Sequence, residues 1–382
     1  MNTTPSNAAP AGGTTTGTTP PGHAPAPTVD VHAHVILPRV EQVVAGHPGL
    51  REHRALDARR NGPESLAVSG RMIGERVARL TRVPDRLADM DTAGVDVQVV
   101  SPSPSHYHYW ADEELAERVC LLAGQGTAEH CAQAPDRLYG LGLVPLQHPS
   151  LMVGLLEHAL GLGLKGVQIS SHAPGSSHAP GSSHAPGSSH TPGRELSDPA
   201  YEPFWARAAE LGAVVFLHPF GCTLDERLDR FYLSNIVGQP VENAVALSHL
   251  IFSGVLDRHP GLKVVAAHGG GYLPTHLGRA DHGWRVRPEA RGCADPPSTY
   301  LRRLWFDSLV HEPAALRALV DVAGPSRVLL GSDHPFDMGV EDPLDRLRAA
   351  GFEPDTFDAI RGRNAAALFD LDDTRPKEQS RA

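Results

Sequence analysis

Long hydrophobic runs are missing from this sequence of 382 residues, and with them any segment suited to span a bilayer. A surplus of positive charge is missing too: 34 lysines and arginines stand against 44 aspartates and glutamates, a formal net charge of -10. Nucleic acid and anionic membrane surfaces both want a basic face, so the balance argues against either partner and for a small-molecule substrate. Met1 to Pro27 has neither a basic leader nor an apolar stretch of the secretory kind, which predicts a cytoplasmic location. Cysteine is scarce. Cys120, Cys131, Cys222 and Cys293 lie far apart without a CxxC spacing, which argues against a disulfide framework and a thiolate zinc site. What is present is ample core material, with 41% hydrophobic residues, enough for one large domain or two.

Beyond residue 27, apolar strand-like runs alternate with longer helical patterns. The runs fall at 29–35, 95–100, 138–144, 166–170, 214–217, 264–267, 304–307 and 328–331. Starting prolines or acidic first turns mark helices at Pro84–Met90, Asp112–Ala134, Pro199–Leu211 and Pro313–Val322. Repeated β-then-α units predict a parallel sheet, and eight of them predict an α/β protein built as a (β/α)8 TIM barrel over residues 28–370. A doubly wound open sheet is the alternative, but it would hold the first and eighth strands apart. Residues 1–27, rich in Thr, Pro, Gly and Ala and without a charged side chain, read as a disordered tail. Residues 371–382 read as a polar C-terminal tail.

Alternation along Val29–Val35 places His32 and His34 on one face, a ready pair of metal ligands that a single strand holds in place. Three later apolar runs also end in ligand-type residues: Val214 to His218, Val264 to His268 and Val328 to Asp333. With 22 histidines in the chain, any one of them at a strand end is more often a structural residue than a ligand. Four coincidences shift the balance, because buried strands need a reason to end in polar groups. A divalent metal at the C-terminal mouth of a barrel supplies it.

Ser170 to Gly193 holds four tandem copies of Ser-Ser-His-(Ala/Thr)-Pro-Gly. Its histidines, His172, His178, His184 and His190, invite a metal-binding reading. Spacing of six in a Pro/Gly-rich coil fixes no coordination geometry, so an expanded surface loop is the better account.

Taken in order, several motifs resemble the amidohydrolase-related decarboxylases typified by aminocarboxymuconate-semialdehyde decarboxylase, a family that includes decarboxylases of hydroxylated benzoates. They are Asp30-Val31-His32-Ala33-His34, Tyr109-Trp110-Ala111, Gly166-Val167-Gln168-Ile169, His218-Pro219-Phe220, Ala267-His268-Gly269-Gly270-Gly271 with Gly278-Arg279, Asp307-Ser308-Leu309-Val310-His311, and Gly331-Ser332-Asp333-His334-Pro335-Phe336. The resemblance implies one divalent metal ion, zinc (Zn2+) with manganese (Mn2+) as the alternative, held by His32, His34, His218 and Asp333. It makes His268 the acid/base beside the metal-bound water and gives Asp333 a second role as proton relay. It further implies that Arg279, placed relative to His268 as in the family, reaches into a neighbouring subunit's pocket, so that a homodimer is expected.

Arg71 is the second substrate arginine on this reading, ahead of Arg76 and Arg79, and Trp110 stacks on a planar substrate with His106 and His108 beside it. Two-metal relatives use a carboxylated lysine on the fourth strand. Lys165 enters that strand from the wrong end, so a mononuclear site is expected. The family's Thr-His-Val-Asn segment after the fourth strand has no match in His190-Thr191-Pro192-Gly193, which leaves the pocket roof open. The expected activity is decarboxylation of a small unsaturated or aromatic carboxylate. A metal-dependent hydrolase or hydratase is the first rival, and a barrel kept only for binding is the second.

Overall fold

Short runs of Val, Leu, Ile and Phe, buried on both faces, form parallel strands because only a sheet covered by helices can hide them. The structure, a computed structural model, describes residues 26–175, 193–221 and 223–371. Its barrel strands are β1 (Val29–Val35), β2 (Val97–Pro102), β3 (Leu138–Gly140, resumed at Gly142–Leu143), β4 (Gly166–Ile169), β5 (Val214–Leu217), β6 (Lys263–Ala266), β7 (Trp305–Asp307) and β8 (Val328–Leu329). Each pairs in parallel with the next, and β3 divides its two halves between β2 and β4. The ring closes where Val31 N donates to Leu330 O (2.9 Å) and His34 N to His334 O (2.8 Å). First and last strands are therefore neighbours, as a barrel requires and an open sheet forbids.

All four expected helices are present, as Val83–Ala93, Glu113–Cys131, Glu202–Leu211 behind a short 3-10 turn at Pro199–Tyr201, and Pro313–Ala323. Asp112 caps the second, its Oδ1 accepting from Leu115 N at 3.0 Å. Among the described residues, four helices of ten residues or more had no sequence expectation: Pro48–Thr81, Pro149–Gly161, Gln239–Phe252 and Leu277–Val286. The first is broken at Gly62 (φ 74°, ψ 165°) before Pro63 and buries only Leu50 and Leu80 completely, so it lacks the apolar stripe that betrays a helix.

The strand starts Val29, Val97 and Val214 pack with Leu368 and Phe369 of the C-terminal helix Asn364–Phe369, which plugs that end of the barrel. The opposite, C-terminal strand ends are left for polar groups. Among the described residues no helix is long and apolar enough to cross a membrane. The expected tails fall outside the described residues except for residues 26, 27 and 371, as does the repeat over 176–192.

Candidate metal centre

Strand β1 is less regular than simple alternation supposes. Asp30 pairs with Gln98 and Ala33 with Val100, so β1 carries one extra residue in a bulge at its ligand pair. His32 and His34 still converge, their ring centroids 5.1 Å apart. His218 joins from the end of β5, with centroids 4.9 Å from both. Asp333, just beyond β8, brings Oδ1 to 3.3 Å from His32 Nε2 and 3.1 Å from His34 Nε2. Donor atoms of His32, His218, His268 and Asp333 all lie within 4.8 Å of one another. His34 is not in that group of four but touches it through Asp333, so geometry alone brings five candidates together rather than the expected four.

Four atoms at the focus are buried and lack a directed hydrogen bond: His32 Nε2, His34 Nε2, His218 Nε2 and Asp333 Oδ1. Buried polar atoms are almost always paired, and these four face one another. A divalent cation at their focus would satisfy all of them. The outer nitrogens fit the same purpose. His32 Nδ1 donates to Asp307 Oδ2 at 2.6 Å and His218 Nδ1 to the Pro219 carbonyl at 3.0 Å. His34 Nδ1 donates to Ser101 Oγ at 3.2 Å, and Ser101 passes its own proton to Gln168 Oε1 at 2.6 Å. All three rings thus have the outer nitrogen tied to an oxygen and Nε2 turned inward, so that each neutral ring is the tautomer a metal needs.

Charge agrees with this arrangement. Burial opposes protonation of His32, but Asp333 and Asp307 outweigh it and raise its pKa to about 10. Burial lowers His34 to about 4, and burial with the surrounding imidazoles holds His218 well below the usual histidine range. Asp333 stays far below the usual carboxylate range despite its burial, because His32 and His34 adjoin it. Asp333 and Asp307 favour positive charge at His32 Nε2, and a divalent cation there would take the place of that proton.

Asp307 is a residue the sequence reading left without a role of its own. Its Oδ2 accepts from His32 Nδ1 and from His268 N (2.9 Å), and its Oδ1 accepts from Gly269 N (2.8 Å) and Leu309 N (3.1 Å). One carboxylate therefore orients a ligand and pins the turn that carries His268. The signal was available, since Trp305-Phe306-Asp307 is another strand ending in a ligand-type residue. His268 (φ 53°) and Asp333 (φ 60°) both hold left-handed backbone conformations, which are rare outside glycine. Glycine is obligatory at Gly271, where φ is +64° and a Cβ would lie 2.0 Å from Pro240 O. At Gly331 a Cβ would press on Asp307 Cβ at 2.8 Å and His32 Cβ at 3.1 Å, so the absence of a side chain lets β8 approach the ligands.

The expected substrate residues lie farther out. Trp110 stacks on His47 (4.8 Å, 25°) and meets His108 edge-on at 5.3 Å. Arg71 and Arg279 are exposed on the helices Pro48–Thr81 and Leu277–Val286, and neither is in contact with the cluster. His106 is buried against Glu41 at 3.1 Å. Lys165 donates to the Asp370 carbonyl at 2.8 Å, at the plugged end of the barrel and away from the centre.

The first repeat copy is part of the folded barrel. Ser170, Ser171 and Ala173 are buried, and His172–Ala173 pairs with Arg194–Glu195. Ser171-His172-Ala173 is therefore the segment that directly follows β4, rather than His190-Thr191-Pro192-Gly193. It is held by Glu242, a buried carboxylate on the helix Gln239–Phe252. Ser171 Oγ donates to Glu242 Oε2 at 3.0 Å, and His172 Nδ1 lies 3.2 Å from the same oxygen. Thr223, from the segment after β5, donates to Glu242 Oε1 through N (2.7 Å) and Oγ1 (2.6 Å).

Burial pushes the Glu242 carboxyl up, but His172 and Thr223 together bring it down to about 2 from an ordinary 4.5. Its stabilising contribution is therefore present above pH 4.5 and lost as pH falls through about 2. Glu242→Gln is expected to cost about 3 kcal/mol at pH 7. The gap in melting temperature from the parent should close as pH falls below that window. A gap independent of pH would show that the carboxylate's charge contributes nothing.

A family model described as Amidohydrolase matches residues 29–371. The chain is 31% identical to the 2-amino-3-carboxymuconate-6-semialdehyde decarboxylase of Dictyostelium discoideum, over 90% of this chain and 92% of that protein. It is 28% identical to the gamma-resorcylate decarboxylase of Rhodococcus jostii, over 86% of this chain and 99% of that one. Its fold is similar to that of a 5-carboxyvanillate decarboxylase from Sphingomonas paucimobilis, with a TM-score of 0.71 at 26% identity, covering 91% of this chain and 99% of the other.

Proposed function

We propose, from the premise that the chain belongs to the amidohydrolase family, that it is a metal-dependent decarboxylase acting on a small unsaturated or aromatic carboxylate. The observation that carries this reading is the convergence of four unpaired buried donor atoms at the strand ends, with His268 at their edge. His32, His34, His218 and Asp333 hold one divalent ion. Zinc suits three imidazoles and a carboxylate, and manganese is the alternative that metal analysis separates from it. When bound, the ion polarises the substrate's oxygens and lowers the pKa of a water.

The reaction breaks the bond between the carboxylate and its carbon. Carbon dioxide leaves, the electron pair stays on the carbon, and a proton must arrive there. His268 is placed to hold that proton. As a residue His268 is half-buried, whereas His32 and His34 are completely buried. Burial and the neighbouring His32 lower its pKa, which favours a neutral ring that can take a proton from water or from the substrate's hydroxyl and deliver it to the carbon. Asp333 then serves as both ligand and relay.

The test is release of carbon dioxide from a panel of hydroxybenzoates, carboxyvanillate and aminocarboxymuconate semialdehyde. At least one should be turned over. Hydrolysis of an amide or lactone with no carbon dioxide from any carboxylate would replace this reading with a hydrolase.

Substrate carboxylates call for a cation, and Arg279 supplies one across a homodimer interface. The helix Leu277–Val286 supports this, because none of its residues is fully buried in the single chain and Val286 is 54% exposed. Mixing inactive His268→Ala subunits with inactive Arg279→Ala subunits should restore activity, since some hybrids regain one complete site. Proven exchange without recovery would mean that each chain builds its site alone. Arg71 and Trp110 complete the substrate pocket on this reading. The proposed compartment is the cytoplasm, in keeping with buried free thiols at Cys120, Cys131 and Cys293.

A further inference from the structure

The guanidinium of Arg86 is completely buried, and no carboxylate among the described residues pairs with it. An unpaired cation in a protein interior is costly, so its surroundings should reveal what it is kept for. Every contact is a neutral acceptor. Nε donates to His130 Nε2 at 3.2 Å, one Nη to Gln98 Oε1 at 2.6 Å, and the other Nη to the backbone carbonyl of His34. The first Nη also lies 3.4 Å from His334 Nδ1. Two of these four partners belong to the segments that carry His34 and Asp333.

Those segments meet where the barrel closes. His34 N donates to His334 O, and Asp333 N donates to His32 O, each at 2.8 Å. Gln98 extends the same support. Its Nε2 donates to Asp30 Oδ2 at 2.9 Å, while Asp30 Oδ1 accepts from His32 N (3.1 Å) and Ser332 N (3.0 Å). Arg86 itself stands on the helix Val83–Ala93, which Gly94 terminates in a left-handed turn (φ 71°). A planar fork on a fixed helix thus braces the β1–β8 seam where three of the expected ligands come together.

We infer that Arg86 is a positioning residue that sets the spacing of His34 and Asp333, and through it the affinity of the centre for a divalent ion. The inference rests on the metal reading proposed above. A lysine keeps the charge but cannot reproduce the fork, whereas glutamine removes the charge. If geometry is what matters, Arg86→Lys and Arg86→Gln should both weaken Zn2+ and Mn2+ binding by about 10- to 100-fold in chelator competition on the full chain. His130→Leu is the control. It removes an Arg86 contact that touches no ligand segment, so it should lower the melting temperature of the metal-free protein and leave affinity unchanged.

Parental affinity in Arg86→Lys would overturn the inference. So would tighter binding in Arg86→Gln alone, which would show that the guanidinium acts only as a repelling charge. Should Arg86→Lys fail to fold, Gln98→Leu severs the same support and carries the same expectation, and unchanged affinity there would also overturn it. A parent protein that binds neither ion would defeat the metal reading, a result distinct from all of these.

Discussion

Asp333→Ala protein is expected to leave purification with less than about a tenth of the parent's metal, and His32→Ala with no more, against about one ion per chain in the parent. Among the described residues, Asp333 is the one carboxylate whose oxygen adjoins both His32 and His34, at 3.3 and 3.1 Å. Without it the focus is lined by imidazoles that burial already makes reluctant to carry charge. The His32 change acts differently, removing the ring that links the centre to Asp307. That carboxylate would then be buried with one fewer donor, so His32→Ala should also lower the melting temperature of the metal-free protein. Elemental analysis and thermal denaturation read the two effects separately. Two ions per chain in the parent would refute a mononuclear centre, and metal retained in Asp333→Ala would remove that residue from the ligand set.

The strand-end polar residues were legible because each is announced locally. An apolar run stops at a histidine or aspartate, and a parallel barrel sends all such stops to one mouth. The fold was legible for the same reason, since every β-then-α unit is a local pattern. Residues that act through distant contacts were not. Asp307 supports His32 across 275 residues, and Ser332 meets Asp30 across 302. Arg86 reads in sequence as one more polar residue of a helix, and only closure of the barrel brings it against His34.

The helix Pro48–Thr81 was missed because its burial is sparse and Gly62-Pro63 interrupts it. Polar composition masked the role of Ser171 and His172, which look like the rest of their repeat until Glu242 is placed beside them. The bulge in β1 shows the same limit at close range. Alternation put His32 and His34 together, yet the backbone that does so carries an additional residue opposite β2.

His268 presents the sharpest choice, because it lies within ligand distance of His32, His218 and Asp333. Its surroundings separate it from the ligands. His32, His34 and His218 each have the outer nitrogen tied to an oxygen, which fixes the tautomer and aims Nε2 at the centre. No such bond holds the His268 ring among the described residues. Asp307 fixes only its backbone, through N at 2.9 Å, and leaves the ring able to exchange a proton on either nitrogen. The first arrangement suits a ligand, and a ring free at both nitrogens can serve as an acid/base. His268→Ala should therefore keep about one metal per chain while kcat falls by about 100-fold or more, the loss that follows removal of a general acid/base. The backbone at 268 is held by Asp307 rather than by the ring, so the melting temperature should change little. Metal analysis and turnover on the same preparation decide between the roles. Loss of metal would make His268 a fifth ligand, and a near-normal rate with metal retained would leave proton transfer to Asp333 alone.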